Sequence, residues 1–371
     1  MEHLRLRRIQ KIEMLSLYMN KIGSYQNKGY EYIINKLKEG EYSEKNMPNF
    51  ENMESFGYTL LQKPLEGLNI IYPEEHLEKD DSNIDPKNLV GKNGLQRLMS
   101  YTETLTPPSR TNFEYKDEKY GRIFSPNEIG KYSCKIKSIC DSIINSTGIV
   151  LIYSQYIDGG IVPMALALEE LGFTRAGAQK SLFKNPPTEA IDSLTFKPRS
   201  EVAKKFHPAK YVMITGDKTL SPDNVGDMKM LTNLDNKYGE KVKVVFISLA
   251  GAEGLDFKFI RQIHVLEPWY NMNRIEQIIG RGVRTCSHKD LPFEERNVEI
   301  YLHSTILENI ENEAADLYVY RLAELKALKI GRVSRLLKQV ATDCLLNLEQ
   351  TGFTLEDMNQ TVIQKLSSGK R

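Results

Sequence analysis

Residues 277–284 read "QIIGRGVR": two arginines three positions apart, a glycine on either side of the first, and a glutamine four residues before it. Guanidinium is planar, permanently charged and matched to phosphate oxygens by its fork of donors. Glycine in a helix interior costs ~1 kcal/mol relative to alanine, so two of them call for a reason. Close approach of an anionic ligand is one such reason. The other reading is a solvated basic face with incidental glycines. A second stretch, "SLAGAEGLDF" (248–257), carries Ser248, Gly251, Gly254 and Asp256. Glycines there let backbone N–H groups approach a phosphate or ribose. Alone this is a weak signal, because many loops that leave a strand look like it.

These residues need elements to hold them. Asn273 followed by Glu276 matches a capped helix start. The helix is then expected over 274–284. At about 100° per residue, Ile275, Ile278, Ile279 and Val283 share one arc. Gln277, Arg281 and Arg284 share the opposite arc, pointing outward together. Around the helix lie five apolar runs, four before it and one after: "GIVLIYS" (148–154), "YVMITGD" (211–217), "VKVVFIS" (242–248), "QIHVLEP" (262–268) and "NVEIYLH" (297–303). Such runs suit strands buried on both faces. Helical stretches separate most of them, including "PMALALEELG" (163–172). This alternation predicts a parallel α/β sheet flanked by helices, with ligands outside the carboxyl ends of the strands.

The expected organisation has three parts. Residues 1–128 form a helical and irregular region: a helix over 1–40, a strand or extended segment at "LNIIYP" (68–73), and a polar connector broken by Pro86, Pro107, Pro108 and Pro126. Residues 129–303 form the α/β domain, opened by helical "EIGKYSCKIKSICDSIINS" and interrupted at 174–210 by a polar insertion. Residues 304–371 form a helical extension.

The whole chain has 371 residues, 40% hydrophobic and 27% charged, with net charge +1. No apolar run reaches the ~20 residues of a membrane span, and no signal peptide opens the chain. Its four cysteines, Cys134, Cys140, Cys286 and Cys344, form no Cys-x-x-Cys pair. They suggest neither a zinc site nor a disulfide framework. A soluble intracellular protein without a membrane partner is the reading. Balanced charge gives no overall pull toward nucleic acid, so binding must come from local patches.

Taken in order, "GIVLIYS", "SLAGAEGLD" and "QIIGRGVR" resemble motifs IV, V and VI of superfamily 2 helicases and translocases. The last has that superfamily's Q-x-x-G-R-x-x-R form. "EPWYN" (267–271) resembles the turn of the Swi2/Snf2-like branch. The wider run from "EPWYN" to "RNVEIYLH" is most similar to the helicase-like ATPases of large DNA viruses, the group of the poxvirus early-transcription-factor ATPase subunit and nucleoside triphosphatase I. The resemblance covers about 129–320. It implies a RecA-like helicase C-terminal domain that shares ATP and Mg²⁺ with a first RecA-like motor domain. Arg281 and Arg284 would then reach the γ-phosphate as arginine fingers, with Gln277 helping to order that contact or the attacking water. Gly254, Asp256 and Gly280 would lie at the nucleotide. Ser154, Gln155, Ser248 and Gly251 would face a DNA or RNA backbone. Ser248 stands where the superfamily usually has Thr, and a hydroxyl remains.

A complete motor also needs a Lys-bearing phosphate loop and an acidic pair on a strand. The nearest phosphate-loop candidate, "GFTRAGAQKS" (172–181), has Ala178 at the Lys position and follows a helix. Asp117–Glu118 lacks an apolar strand before it. Both halves of the ATP-binding chemistry are therefore expected elsewhere, in a first motor domain or split-gene partner, with residues 1–128 as the link between motors. Transcription machinery is a further partner, and a virion or cytoplasmic viral factory the expected location. The rival reading is a catalytically inactive nucleic-acid- or partner-binding protein derived from a helicase half. A free-standing phosphate-loop kinase is disfavoured by the missing loop.

Overall fold

The computed structural model describes residues 12, 14–39, 53–79, 84–104, 110–116, 118–177, 181–202, 205–249, 255–310, 312–347, 354 and 356. Nine strands are named among them: β1 (Tyr18–Lys21), β2 (Met99–Thr104), β3 (Arg110–Tyr115), β4 (Ile149–Tyr153), β5 (Thr174–Arg175), β6 (Lys210–Ile214), β7 (Val244–Ile247), β8 (Ile260–Val265) and β9 (Glu299–Ile306). The helices that matter here are α1 (Ser24–Glu39), α2 (Met53–Asn69), α3 (Cys134–Ile144), α4 (Val162–Glu170), α5 (Met272–Gly282) and α6 (Ala315–Gln339).

Seven strands make one sheet in the order β1-β9-β8-β4-β7-β6-β5, and every neighbouring pair runs parallel. This is the expected parallel α/β architecture. The apolar runs form strands because both faces are covered. Val150 and Ile152 join the core cluster that includes Ile136, Ile139 and Met164 of α3 and α4. Ile149, Leu151 and Tyr153 join the opposite cluster, with Ile275 and Ile278 of α5. Period-two alternation thus distributes one uninterrupted apolar run over two cores. Ser133 caps α3, its hydroxyl accepting from the Ile136 amide.

Several expectations change. The helix expected over 1–40 gives way to strand at Tyr18–Lys21. The open edge of β9 takes these residues in parallel register, Tyr18 against His303 and Lys21 against Ile306. Cross-strand bonding there overrides the helical spacing, and only α1 remains helical among the described residues. The same pairing explains why β9 runs to Ile306, so the C-terminal helix starts at Ala315, well after residue 304. "LNIIYP" is divided: Leu68 and Asn69 end α2, and Ile70–Tyr72 are extended and fully buried. The polar connector contains an antiparallel hairpin, β2–β3. A strand therefore does precede Glu118, but it is polar and stands outside the parallel sheet; Asp117 and Ala178 lie outside the described residues.

The polar insertion is folded onto the sheet. Glu169 of α4 accepts from the Leu182 and Phe183 amides (2.6 and 2.8 Å) and from the Tyr211 hydroxyl (2.6 Å). Burial pushes its carboxyl up to about 7, although those bonds pull it down. At the other edge, Asn20 donates to Ser304 O and to His303 Nδ1 (3.0 and 3.1 Å). His303 Nε2 then carries the proton and donates to His264 Nδ1 at 2.9 Å. Burial pushes His264 down to about 3 and His303 downward as well, so both imidazoles stay neutral and the relay keeps one direction. Among the described residues, no helix is long and apolar enough to cross a membrane.

Candidate functional site

The turn after β8 launches α5. Its N-cap position is Asn271, extended and without a side-chain cap bond, two residues before the expected Asn273. Ile275 and Ile278 are 1% and 3% exposed and pin the helix to the sheet, and Ile279 packs half-buried beside them. Val283, expected on the same arc, is 48% exposed because the helix ends at Gly282.

The two glycines have different reasons. A Cβ at Gly282 would stand 3.0 Å from Ile263 Cδ1 and 3.1 Å from Ile260 Cγ2, so this glycine lets the helix end lie on β8. It leaves no room for a ligand, contrary to the sequence expectation. A Cβ at Gly280 would meet nothing within 4 Å, so Gly280 does face open space. Gly282→Val is therefore expected to destabilise by about 1–3 kcal/mol through overpacking. Gly280→Ala is expected to hold or slightly raise the thermal midpoint, since alanine is the better helix former. A calorimetric melt of both variants checks the contrast; equal effects would remove the packing explanation.

The close approach of α5 places its far end beside the start of β8. Arg281 Nη1 donates to Leu255 O at 3.2 Å. Arg284 Nε donates to Gly280 O at 3.2 Å, and its Nη1 lies 2.6 Å from Asp256 Oδ1. Residues of the 248–257 and 277–284 stretches, distant in sequence, thus meet. The Arg284 and Asp256 side chains are 42% and 65% exposed, a pair screened by water and easily exchanged for another anion. Gln277 is exposed on the same helix. Gly251 and Gly254 lie outside the described residues.

The second group sits at the carboxyl ends of the strands. Ser248 follows β7, 5% exposed, its amide donating to Ile214 O. Ser154 follows β4, but its hydroxyl does not point out: it is fully buried and donates to the Glu267 carboxylate at 2.9 Å. Gln155 is half-buried and its amide donates to Glu267 Oε1 at 2.5 Å. β4 and β8 pair in parallel from Ile149–Ile260 to Tyr153–Val265, with one register shift after Ile149. The arginine pair is therefore at the amino end of β8, and the serines at the carboxyl ends of their strands. The structure gathers Arg281, Arg284, Gly280 and Asp256 in one place and Ser154, Gln155 and Ser248 near another.

Sequence reasoning missed a buried polar seam beneath the second group. Glu267 Oε2 accepts from Asn69 Nδ2 at 2.7 Å. Burial raises the Glu267 carboxyl, and the bonds from Asn69, Gln155 and Ser154 hold it back. Beside it, Lys135 Nζ bonds Leu266 O and Asp316 Oδ2, both at 2.8 Å. Trp269 lies 3.4 Å from the Arg274 guanidinium, centroid to Cζ. One signal was available: Glu267 is a lone acid between an apolar strand and an aromatic turn.

The parallel α/β sheet, with Leu255 and Asp256 meeting a Q-x-x-G-R-x-x-R helix, occurs in a chain that is similar in sequence to helicases and nucleoside triphosphatases of large DNA viruses. The chain is 41% identical over 130 residues to a putative ATP-dependent RNA helicase of Acanthamoeba polyphaga mimivirus, covering 33% of this chain and 16% of that protein. It is 32% identical over 193 residues to a termination factor NPH-I homolog of African swine fever virus, covering 49% and 27%. It is 27% identical over 236 residues to nucleoside triphosphatase I of Melanoplus sanguinipes entomopoxvirus, covering 63% and 30%. The chain thus spans less than a third of the length of each of these relatives. No protein-family model matches it. Among solved structures, the C-terminal part of the Fun30 ATPase domain is similar with a TM-score of 0.44 at 11% identity, covering 83% of this chain and 87% of that one.

Proposed function

We propose that this chain provides the C-terminal motor half of an ATP-dependent nucleic-acid helicase or translocase. The observation that carries the reading is the meeting of Arg281 and Arg284 with Leu255 and Asp256, beside the open face of Gly280. Two permanent cations, one held by an exposed and exchangeable carboxylate, fit the polyphosphate of a nucleotide presented from outside. Bound Mg²⁺-ATP supplies the phosphoryl group whose transfer to water the motor uses. Arg281 and Arg284 neutralise charge on that group as it leaves, and Gln277, exposed on the same helix, orients the contact. Gln155 and Ser248, at the carboxyl ends of the strands, meet the nucleic-acid backbone, as does Ser154 if its turn opens. The phosphate loop and acidic pair come from a first RecA-like motor domain, from the same gene or a split one. Transcription machinery as a partner, and a virion or viral-factory location, belong to the same reading.

The test is hydrolysis with and without that partner. The purified chain alone is expected to show no ATPase activity above background, with or without DNA or RNA. Fusing or adding a first motor domain of a viral relative is expected to restore nucleic-acid-stimulated turnover. Robust hydrolysis by the chain alone would overturn the division of labour.

A further inference from the structure

We infer that the Glu267 carboxylate is a positioning group: it ties the 154–161 turn to the start of α5, so that a change at one is carried to the other. The consequence for a motor, a link between the nucleic-acid edge and the arginine pair, rests on the function proposed above. The tie itself does not.

Glu267 is 1% exposed; its carboxylate bonds the turn and the end of α2, and its own backbone leads directly into the turn before α5. Oε1 accepts the Gln155 amide at 2.5 Å and the Ser154 hydroxyl at 2.9 Å. Oε2 accepts Asn69 Nδ2, anchoring the end of α2 as well. Ser154 Oγ in turn accepts the Tyr156 amide at 3.1 Å. The turn that follows is a wide π turn, Ile157–Ile161, a form frequent at functional sites. It is packed tightly: a Cβ at Gly160 would collide with Ser154 Oγ, and one at Gly159 would stand 2.9 Å from Glu66 Cγ.

On the other side the chain is stiff. Pro268 has a fixed φ and follows Glu267 directly. Tyr270 is 5% exposed and packs with Val319 and Leu322 of α6. The guanidinium of Arg274 lies on the Trp269 ring. Leu266 O is held by Lys135. Displacing Glu267 must therefore displace the turn that begins α5, and a helix of three turns carries that shift to Arg281 in its last turn and to Arg284, two residues past its end and bonded back to Gly280 O.

The experiment is site-resolved hydrogen exchange on the full chain, without nucleotide or nucleic acid, for wild type, Ser154→Ala, Glu267→Gln, Glu267→Ala and the Ser154→Ala/Glu267→Ala double variant. Ser154→Ala is expected to speed exchange at 155–161 and also at 270–276. Glu267→Ala is expected to speed both by about tenfold, as lost charged hydrogen bonds imply, while the interiors of β4, β6 and β7 keep their protection. In the double variant, the serine change should add nothing further at 270–276. Glu267→Gln should behave as wild type. Its amide can donate to Asn69 Oδ1 after a flip, an atom without a hydrogen-bond partner among the described residues.

Two results would sink the tie: equal increments from Ser154→Ala at 270–276 with and without Glu267, or a uniform rise across the sheet in Glu267→Ala. If Glu267→Ala does not fold, Ser154→Ala decides alone, since loosening confined to 155–161 overturns the proposal. A parallel arm adds a single-stranded oligonucleotide. Protection should reach 270–284 in wild type and stop at 155–161 in Glu267→Ala. Failure of wild type to bind it refutes the function proposed above and leaves the joint to the first arm.

Discussion

Arg284→Ala, and likewise Arg281→Ala, is expected to collapse nucleic-acid-stimulated ATP hydrolysis by about 10³–10⁵-fold once a first motor domain is supplied. Phosphoryl transfer leaves a protein mainly to position groups and neutralise charge, so losing a guanidinium aimed at the γ-phosphate removes a large share of the stabilisation. Lys should rescue poorly, because a compact ammonium lacks the planar fork. Folding should survive. Arg284 is 42% exposed, its partner Asp256 is more exposed still, and neither arginine belongs to the isoleucine face that packs on the sheet. Steady-state ATPase measured beside a thermal melt separates the two effects. Near-normal turnover in both alanine variants would reduce the octet to a solvated basic face.

The sheet was legible because its central strands are buried on both faces, which compresses them into short apolar runs such as "GIVLIYS" and "VKVVFIS". What escaped was structure whose stabilisation comes from a distant partner. β1 has three exposed residues, Tyr18, Met19 and Lys21, and becomes a strand through the edge of β9, where Tyr18 pairs with His303. The hairpin β2–β3 and the 174–210 insertion are polar, and the latter is organised by two buried acids, Glu169 of α4 and Asp192 within it. At the site, the spacing of Arg281 and Arg284 was readable from helical periodicity. Their meeting with Leu255 and Asp256 was not readable from spacing, because a loop intervenes and no local pattern says where it folds back. Gly282 looked like ligand space because sequence shows an absent side chain without showing that Ile260 and Ile263 occupy the gap. Ser154 looked like a surface contact because its buried acceptor, Glu267, lies 113 residues on.

The largest stability loss is expected from breaking the Lys135–Asp316 pair. Both side chains are 0% exposed and their charged atoms are 2.8 Å apart. Each has further partners. Lys135 also donates to Leu266 O. Asp316 accepts the Leu317 amide at 2.7 Å and the Thr305 hydroxyl at 2.8 Å. The pair therefore joins α3, the end of β8, β9 and the start of α6 at one point. Burying two ions costs much of what their attraction returns, so the intact pair contributes little net stability. Removing one partner is different, because the remaining charge stays in the core uncompensated. Asp316→Ala or Lys135→Ala should each cost about 3–5 kcal/mol, against a typical total of roughly 5–15 kcal/mol. The double variant Lys135→Met/Asp316→Leu should cost less than the sum of the single losses by about 1–3 kcal/mol, as coupled neighbours do. It will not be neutral, since Leu266 O, the Leu317 amide and the Thr305 hydroxyl lose a partner. As a control, Lys36→Ala breaks the exposed pair with Glu39 and should leave the midpoint where it was. Urea midpoints with their slopes measure all four variants. If Asp316→Ala falls no further than Lys36→Ala, the pair does not hold this junction, and α6 is held by Val319, Tyr320 and Leu322 instead.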